Sequence, residues 1–177
     1  MKVMTIDLEM NQPSGTIIQV GAVVGDVTSG RVLDKICLYI NPNETLSEEI
    51  VSLTGITQEQ VNRGIKLEEA YLILKDMHTK HKCFRNLMTW GGNDADFLRQ
   101  SLKMTNSEWA FGRRCIDIKT LYQFNQVMNG KSPQGGLAKT LHRLGGKFIG
   151  KKHNALDDAK NTFQLAMIMK EKMGIFA

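Results

Sequence analysis

The first ten residues alternate. Met4, Ile6, Leu8 and Met10 fall on one side of an extended chain and Thr5, Asp7 and Glu9 on the other, a period of two that predicts a strand over residues 2–10. After a turn-rich stretch containing Pro13 and Gly15, residues 17–24 are almost continuously apolar, the pattern of a strand covered on both faces. Thr28-Ser29-Gly30 predicts a turn and residues 32–40 a third strand, so three strands joined by short turns imply an antiparallel meander. The pattern then changes. Ser47 ahead of Glu48 and Glu49 predicts the N-cap of a short helix, and Thr57 caps a second one through Val61. Ala70, Tyr71, Leu74 and Met77 at helical spacing predict an amphipathic helix over residues 68–80. Short strands over 87–90 and 115–118 alternate with helices over 95–103 and from 118 to about 128. A short helix follows Gly135-Gly136 and runs to Leu144, and a long helix over 156–173 ends the pattern. This order implies one mixed α/β sheet with helices on its faces. No repeat or linker divides the chain, so residues 1–177 are expected to form a single domain.

Composition narrows the class. The chain has 42% hydrophobic and 23% charged residues, which are globular values and exclude disordered, collagen-like and coiled-coil chains. Cys37, Cys83 and Cys115 are an odd, widely spaced set without a Cys-x-x-Cys pair, which argues against a disulfide framework and for the reduced thiols of a cytoplasmic protein. No apolar run is long enough for a membrane span, and Asp7 and Glu9 interrupt any signal-peptide core. The formal net charge is +5. Residues 1–138 hold 15 basic and 15 acidic side chains, whereas residues 139–177 hold 8 basic and 3 acidic ones, so the whole excess lies in the last segment. Such basicity permits a nucleic-acid partner without establishing one.

Three clusters could carry chemistry. Asp7 and Glu9, at i and i+2 on a strand, project from one face. The pair reads either as a cation site or as the exposed polar face of an edge strand, since adjacent carboxylates repel and lose solvation unless something compensates them. Asp94 follows Trp90-Gly91-Gly92 at the entrance of a helix and reads as a ligand or as an N-cap, with Asp96 competing for either role. His153 precedes Asp157 and Asp158 at the start of the long helix, where carboxylates also suit the positive end of the helix dipole. Capping explains both carboxylates and leaves His153 as a solvent-exposed loop residue.

Taken together, Asp-x-Glu on the first strand, a mid-chain Asp after a strand, and His-x4-Asp at the last helix form an ordered set of Asp7, Glu9, Asp94, His153 and Asp158. This chain resembles the DEDDh 3′–5′ exonuclease family, of RNase H-like fold, over nearly its whole length. Ile17-Ile18-Gln19-Val20-Gly21-Ala22-Val23, Thr54-Gly55-Ile56-Thr57 and Cys115-Ile116-Asp117 extend the resemblance. Thr89-Trp90-Gly91-Gly92-Asn93-Asp94 and Gly150-Lys151-Lys152-His153 look like the Eri/KapD-type branch, which is associated mainly with RNA trimming.

The resemblance implies a sheet of three antiparallel strands followed by parallel ones. It implies hydrolysis of phosphodiester bonds from the 3′ end of single-stranded RNA or DNA, releasing nucleoside 5′-monophosphates. Two Mg²⁺ or Mn²⁺ ions would be held by Asp7, Glu9, Asp94 and Asp158, with Asp7 bridging them, as suits hard cations that take oxygen ligands. His153 would take the proton of the attacking water, a task for which imidazole is suited near neutral pH. Asp157, one position off the His-x4-Asp spacing, is left as a cap. By motif position Leu8, Met10, Ile56 and Phe97 are candidates for contact with the last nucleotide, and Lys147, Lys151 and Lys152 for contact with phosphates. Each apolar candidate equally suits the core, Phe97 above all, and Trp90 reads as buried support for the Asp94 loop. Met10, Gln19 and Thr54 depart from the family pattern, which usually has Thr, an acidic residue and His there. Dimeric family members make a homodimer an open expectation. An enzyme confined to very short oligonucleotides and a non-catalytic nucleic-acid-binding scaffold are the alternatives.

Overall fold

A computed structural model describes residues 1–173. Strands β1 (Lys2–Met10), β2 (Ile17–Asp26) and β3 (Val32–Tyr39) form an antiparallel meander. Helices α1 (Glu48–Thr54), α2 (Gln58–Asn62) and α3 (Leu67–Lys80) follow. The chain then alternates through β4 (Met88–Thr89), α4 (Asp94–Ser101), β5 (Ile116–Asp117), α5 (Ile118–Met128), α6 (Leu137–Arg143) and α7 (Ala155–Met173). The sheet order is β3-β2-β1-β4-β5, with β4 parallel to β1 and β5 parallel to β4. This is the mixed five-stranded sheet the pattern predicts. The long elements agree with it closely. The parallel strands shrink to two residues each, and α4 begins at Asp94 itself rather than one residue later. Among the described residues no helix is long and apolar enough to cross a membrane.

β1 is central, and both of its faces are covered. Met4, Ile6 and Leu8 join Val20, Ala22 and Val24 of β2 in a core closed by α3 and α4 through Ala70, Leu74 and Leu98. The opposite face carries Val3, Thr5, Asp7 and Glu9 and lies under α7. The edge-strand reading of Asp7 and Glu9 is therefore excluded, because the paired carboxylates stand on the middle of the sheet beside a packed helix.

Two glycines let that helix approach. A Cβ on Gly21, the register partner of Asp7, would stand 2.1 Å from the carbonyl carbon of Ala155. A Cβ on Gly25 would stand 2.1 Å from the Phe163 ring. β2 thus presents a groove in which backbone meets backbone at one end and a fully buried aromatic fills the other. The first turn of α7 consequently lies against the strand pair that bears Asp7 and Glu9.

Candidate active site

The C-terminal end of β1, the loop after β4, the start of α6 and the residues leading into α7 enclose an open cavity of about 460 Å³. That volume lies in the range of small-molecule sites. Asp7, Leu8 and Glu9 line it from β1, His153 and Asp158 from the entrance of α7, and Trp90 from the loop after β4. One ligand atom each from Glu9, His153 and Asp158 lies within 4.8 Å of the others, a spacing that could hold a cation. Asp94 does not line the cavity, but its charge acts on both Asp7 and Glu9.

Electrostatics set this cluster apart from the other acids. Burial first, then the charges of Asp94, Asp158 and Glu9, hold the Asp7 carboxyl well above the ordinary carboxylate range. Burial, with Asp158 and Asp94, pushes Glu9 up to about 7. Burial also pushes Asp94 to about 7, opposed by its own backbone amide and aided by Asp117. Asp158 is raised by burial against the hydrogen bond and charge of His153. Among the described residues no ion pair reaches any of the four, although Asp34, Asp96 and Asp157 all have cationic partners. Four desolvated carboxylates with no ion-pair partner among the described residues are destabilising. An acceptor-only oxygen set of this kind fits a divalent cation.

Local hydrogen bonds explain how the loops hold these groups. The side chain of Asn154 accepts from the N–H of Asp157 at 3.2 Å, so Asn154, not Asp157, caps α7. Asp157 instead accepts from the N–H of Lys151 at 2.9 Å and pairs with Lys160 at 3.0 Å, pinning the preceding loop. Asp158 accepts from the N–H of His153 at 2.9 Å. His153 is exposed and has a left-handed backbone with φ 59°. At the other end, Asp117 caps α5 through the N–H groups of Lys119 and Thr120 and also accepts from Gly91 at 3.0 Å. The Thr89 hydroxyl donates to the Gly91 carbonyl at 2.6 Å. Asp117 and Thr89 together shape the turn that leads into Asp94, a role no spacing in the sequence announced. Asn93 takes the cap position of α4 without a side-chain hydrogen bond, so Asp94 is not the cap.

The remaining candidates divide. Leu8 and Lys152 line the cavity. Met10 is half-buried against the α3 face of the core, and Ile56 is buried with Ile18, Leu46, Ile50 and Val61. Phe97 is 40% exposed on α4, so it is not a core residue, and it borders a separate hollow with Asn93, Asp96 and Gln100. The Lys151 ammonium lies over Gly55 at the end of α1 rather than along the cavity wall. Lys147 is exposed. Trp90, read as buried support, is half-buried and forms part of the wall, as do Leu137, Lys139 and Phe148. Thr54, where relatives carry His, donates to the carbonyl of Ile50 at 2.7 Å and accepts from Ile56, closing the end of α1.

Residues 4–166 match the exonuclease (RNase T) family. The chain is 30% identical over 164 residues to human 3′-5′ exoribonuclease 1, covering 86% of this chain and 46% of that protein. It thus spans about half the length of the curated relatives it matches first. The crystal structure of the nuclease domain of 3′hExo, described as a DEDDh family member bound to rAMP, superposes with a TM-score of 0.81 at 24% identity, covering 96% of this chain and 92% of that one. The Mg²⁺- and Mn²⁺-bound form of Pop2p from S. pombe superposes with a TM-score of 0.71 at 17% identity, covering 96% and 83%. At these identities the structural likeness is one of fold, and that fold is RNase H-like. A family match across nearly all of the chain leaves one assignment: the protein belongs to the exonuclease family, with Eri-type exoribonucleases among its sequence relatives.

Proposed function

We propose that the protein is a divalent-metal-dependent 3′–5′ exonuclease that removes nucleoside 5′-monophosphates from single-stranded ends, RNA in preference to DNA. One observation carries this reading: Asp7, Glu9, Asp158 and His153 meet at a single cavity, with Asp94 coupled to Asp7 and Glu9 by charge and no ion pair among the described residues to any of the four carboxylates. The Mg²⁺- and Mn²⁺-bound neighbour and the exoribonuclease relatives support it.

Asp7, Glu9, Asp94 and Asp158 would hold two Mg²⁺ or Mn²⁺ ions. When bound, such ions make water nucleophilic near neutral pH and stabilise the leaving 3′-oxygen. Among the chain's own groups, His153 accepts the proton of the attacking water from its exposed loop position, and Asp158 orients it through its backbone N–H. Leu8 and Trp90 offer apolar wall to the terminal nucleoside, since base stacking on such surfaces contributes roughly 1–3 kcal/mol. Lys139 and Lys152 at the wall meet phosphate charge, which positions a strand without reading its sequence.

Matched 3′-labelled RNA and DNA in a length series from dinucleotide to 20-mer test the proposal. Metal-dependent release of 5′-monophosphates from the 3′ end, faster on RNA, is expected. Internal cleavage, or undiminished activity in EDTA, would overturn it. Activity confined to dinucleotides would replace the substrate class and keep the chemistry.

A further inference from the structure

Gln19 is fully buried and stands opposite Glu9 in the β1–β2 register, on the face that carries the carboxylates. Its Oε1 accepts a hydrogen bond from the backbone N–H of Ala155 at 2.8 Å, a contact spanning 136 residues of sequence. Ala155 opens α7, and the leading N–H groups of a helix have no partner within it. Asn154 serves one of these donors, at Asp157, and Gln19 serves another. The same first turn bears Asp158, whose carboxylate holds the N–H of His153. An unbroken series of hydrogen bonds and helix backbone therefore runs from β2 through Ala155 and Asp158 to His153. Gly21, two residues along the strand, removes the Cβ that would otherwise hold α7 away.

The other end of the amide faces the hydroxyl of Tyr39, its register partner on β3, so Gln19 ties the β2–β3 pair to the start of α7. It also provides a fixed oxygen at the height of the helix's first turn. We propose that Gln19 is a positioning residue of the candidate active site, setting where Asp158 and His153 stand relative to Asp7 and Glu9. The inference rests on the nuclease reading of that site. It assigns Gln19 no contact with substrate.

Gln19→Met keeps the length of the side chain and removes the acceptor, whereas Gln19→Glu keeps an acceptor oxygen. The readouts are kcat and KM for Mn²⁺-dependent hydrolysis of a 3′-labelled RNA, together with the rise in melting temperature that Mn²⁺ alone produces. Gln19→Met is expected to lose at least about tenfold in kcat with KM within about twofold, since displacing a catalytic group by ~1 Å costs roughly 100-fold. Gln19→Glu is expected to recover kcat to within about threefold of wild type at saturating Mn²⁺. Wild-type kcat in Gln19→Met, or a loss that Gln19→Glu fails to recover, overturns the proposal. Should Gln19→Met not fold, Gln19→Leu, which also lacks the acceptor for the Ala155 N–H, is measured in its place with the same expected loss. Should the wild type hydrolyse nothing, the nuclease reading fails, and the Mn²⁺-induced melting shift still decides this one. A smaller shift in Gln19→Met than in wild type supports positioning, and equal shifts refute it.

Discussion

Replacing Asp7 with Asn is expected to stabilise the metal-free protein at pH 8 while it removes hydrolysis. Above pH 7 Glu9 and Asp94 ionise on a desolvated face beside Asp7 and Asp158, whose carboxyls burial also raises, and no ion pair among the described residues offsets them. Glu9 lifted from 4.5 to about 7 corresponds to about 3 kcal/mol, at ~1.4 kcal/mol per tenfold change in proton affinity. Asp94 lifted from 3.8 to about 7 corresponds to about 4 kcal/mol on the same scale. The two figures are not summed, because burial in the same site is the first cause of each and water in the open cavity reduces both. Removing the Asp7 charge, which burial and the charges of Asp94, Asp158 and Glu9 all oppose, is expected to recover on the order of 2 kcal/mol, the scale of single substitutions that relieve an unpaired buried charge. In a chain of this size that raises the melting temperature by about 4–8 °C.

The direction with pH follows from the raised values. Stabilisation is fully present below the unfolded-state values near 4 and is lost as pH rises through about 7. Asp34, pulled down to about 2 by hydrogen bonds from His81 and Lys80, acts in the opposite sense. Its contribution is lost only in acid, below the window from pH 5.5 to 8. Melting curves in EDTA should accordingly show the wild type less stable at pH 8 than at pH 5.5, with Asp7→Asn less sensitive. A wild-type melting temperature that holds level or rises over that window would refute the reasoning. So would an Asp7→Asn protein that melts below wild type at pH 8.

Other expectations follow from packing and charge. Gly21→Ala drives a methyl group into the backbone of Ala155, so a loss of more than about 1–3 kcal/mol in a denaturant titration is expected, with activity reduced at temperatures where the protein stays folded. Phe97→Ala should change stability by less than about 0.5 kcal/mol, because the ring is 40% exposed. A higher KM in Phe97→Ala would establish nucleotide contact, and an unchanged KM would dismiss it. RNA affinity should fall as salt rises, with a slope that flattens in Lys139→Ala and Lys152→Ala, measured by titration at several ionic strengths.

Much of this architecture was legible in the sequence because long elements advertise their period. The alternation of β1 and the helical spacing of Ala70, Tyr71, Leu74 and Met77 correspond directly to buried faces. β4 and β5, two residues each, are too short to show any period. The stretch between Lys103 and Cys115 has no periodicity, yet it brings Trp109 and Phe111 against Tyr71, with ring centroids 5.5 and 5.9 Å apart. Local spacing on one strand and one helix start pairs Asp7 with Glu9 and His153 with Asp158, and the family resemblance joins the two pairs. Asp117, Gln19, Leu137, Lys139 and Phe148 could not be assigned their places, since each reaches the site through a tertiary contact rather than a motif. The adjacent acids Asp157 and Asp158 show the same limit. Both suit a helix start; the His-x4-Asp spacing selects Asp158, but only the hydrogen bonds reveal that Asp157 pins a loop instead of capping the helix.

The proposed role of the buried carboxylate cluster is to hold divalent ions for hydrolysis at a 3′ end. The most direct test is a Mn²⁺ titration of nucleoside 5′-monophosphate release from a 3′-labelled single-stranded RNA, run on wild type and Asp158→Asn. Saturable, EDTA-reversible activity is expected in the wild type, and at most about one-hundredth of it in a folded Asp158→Asn. Metal-independent release, or full activity in Asp158→Asn, would contradict that role.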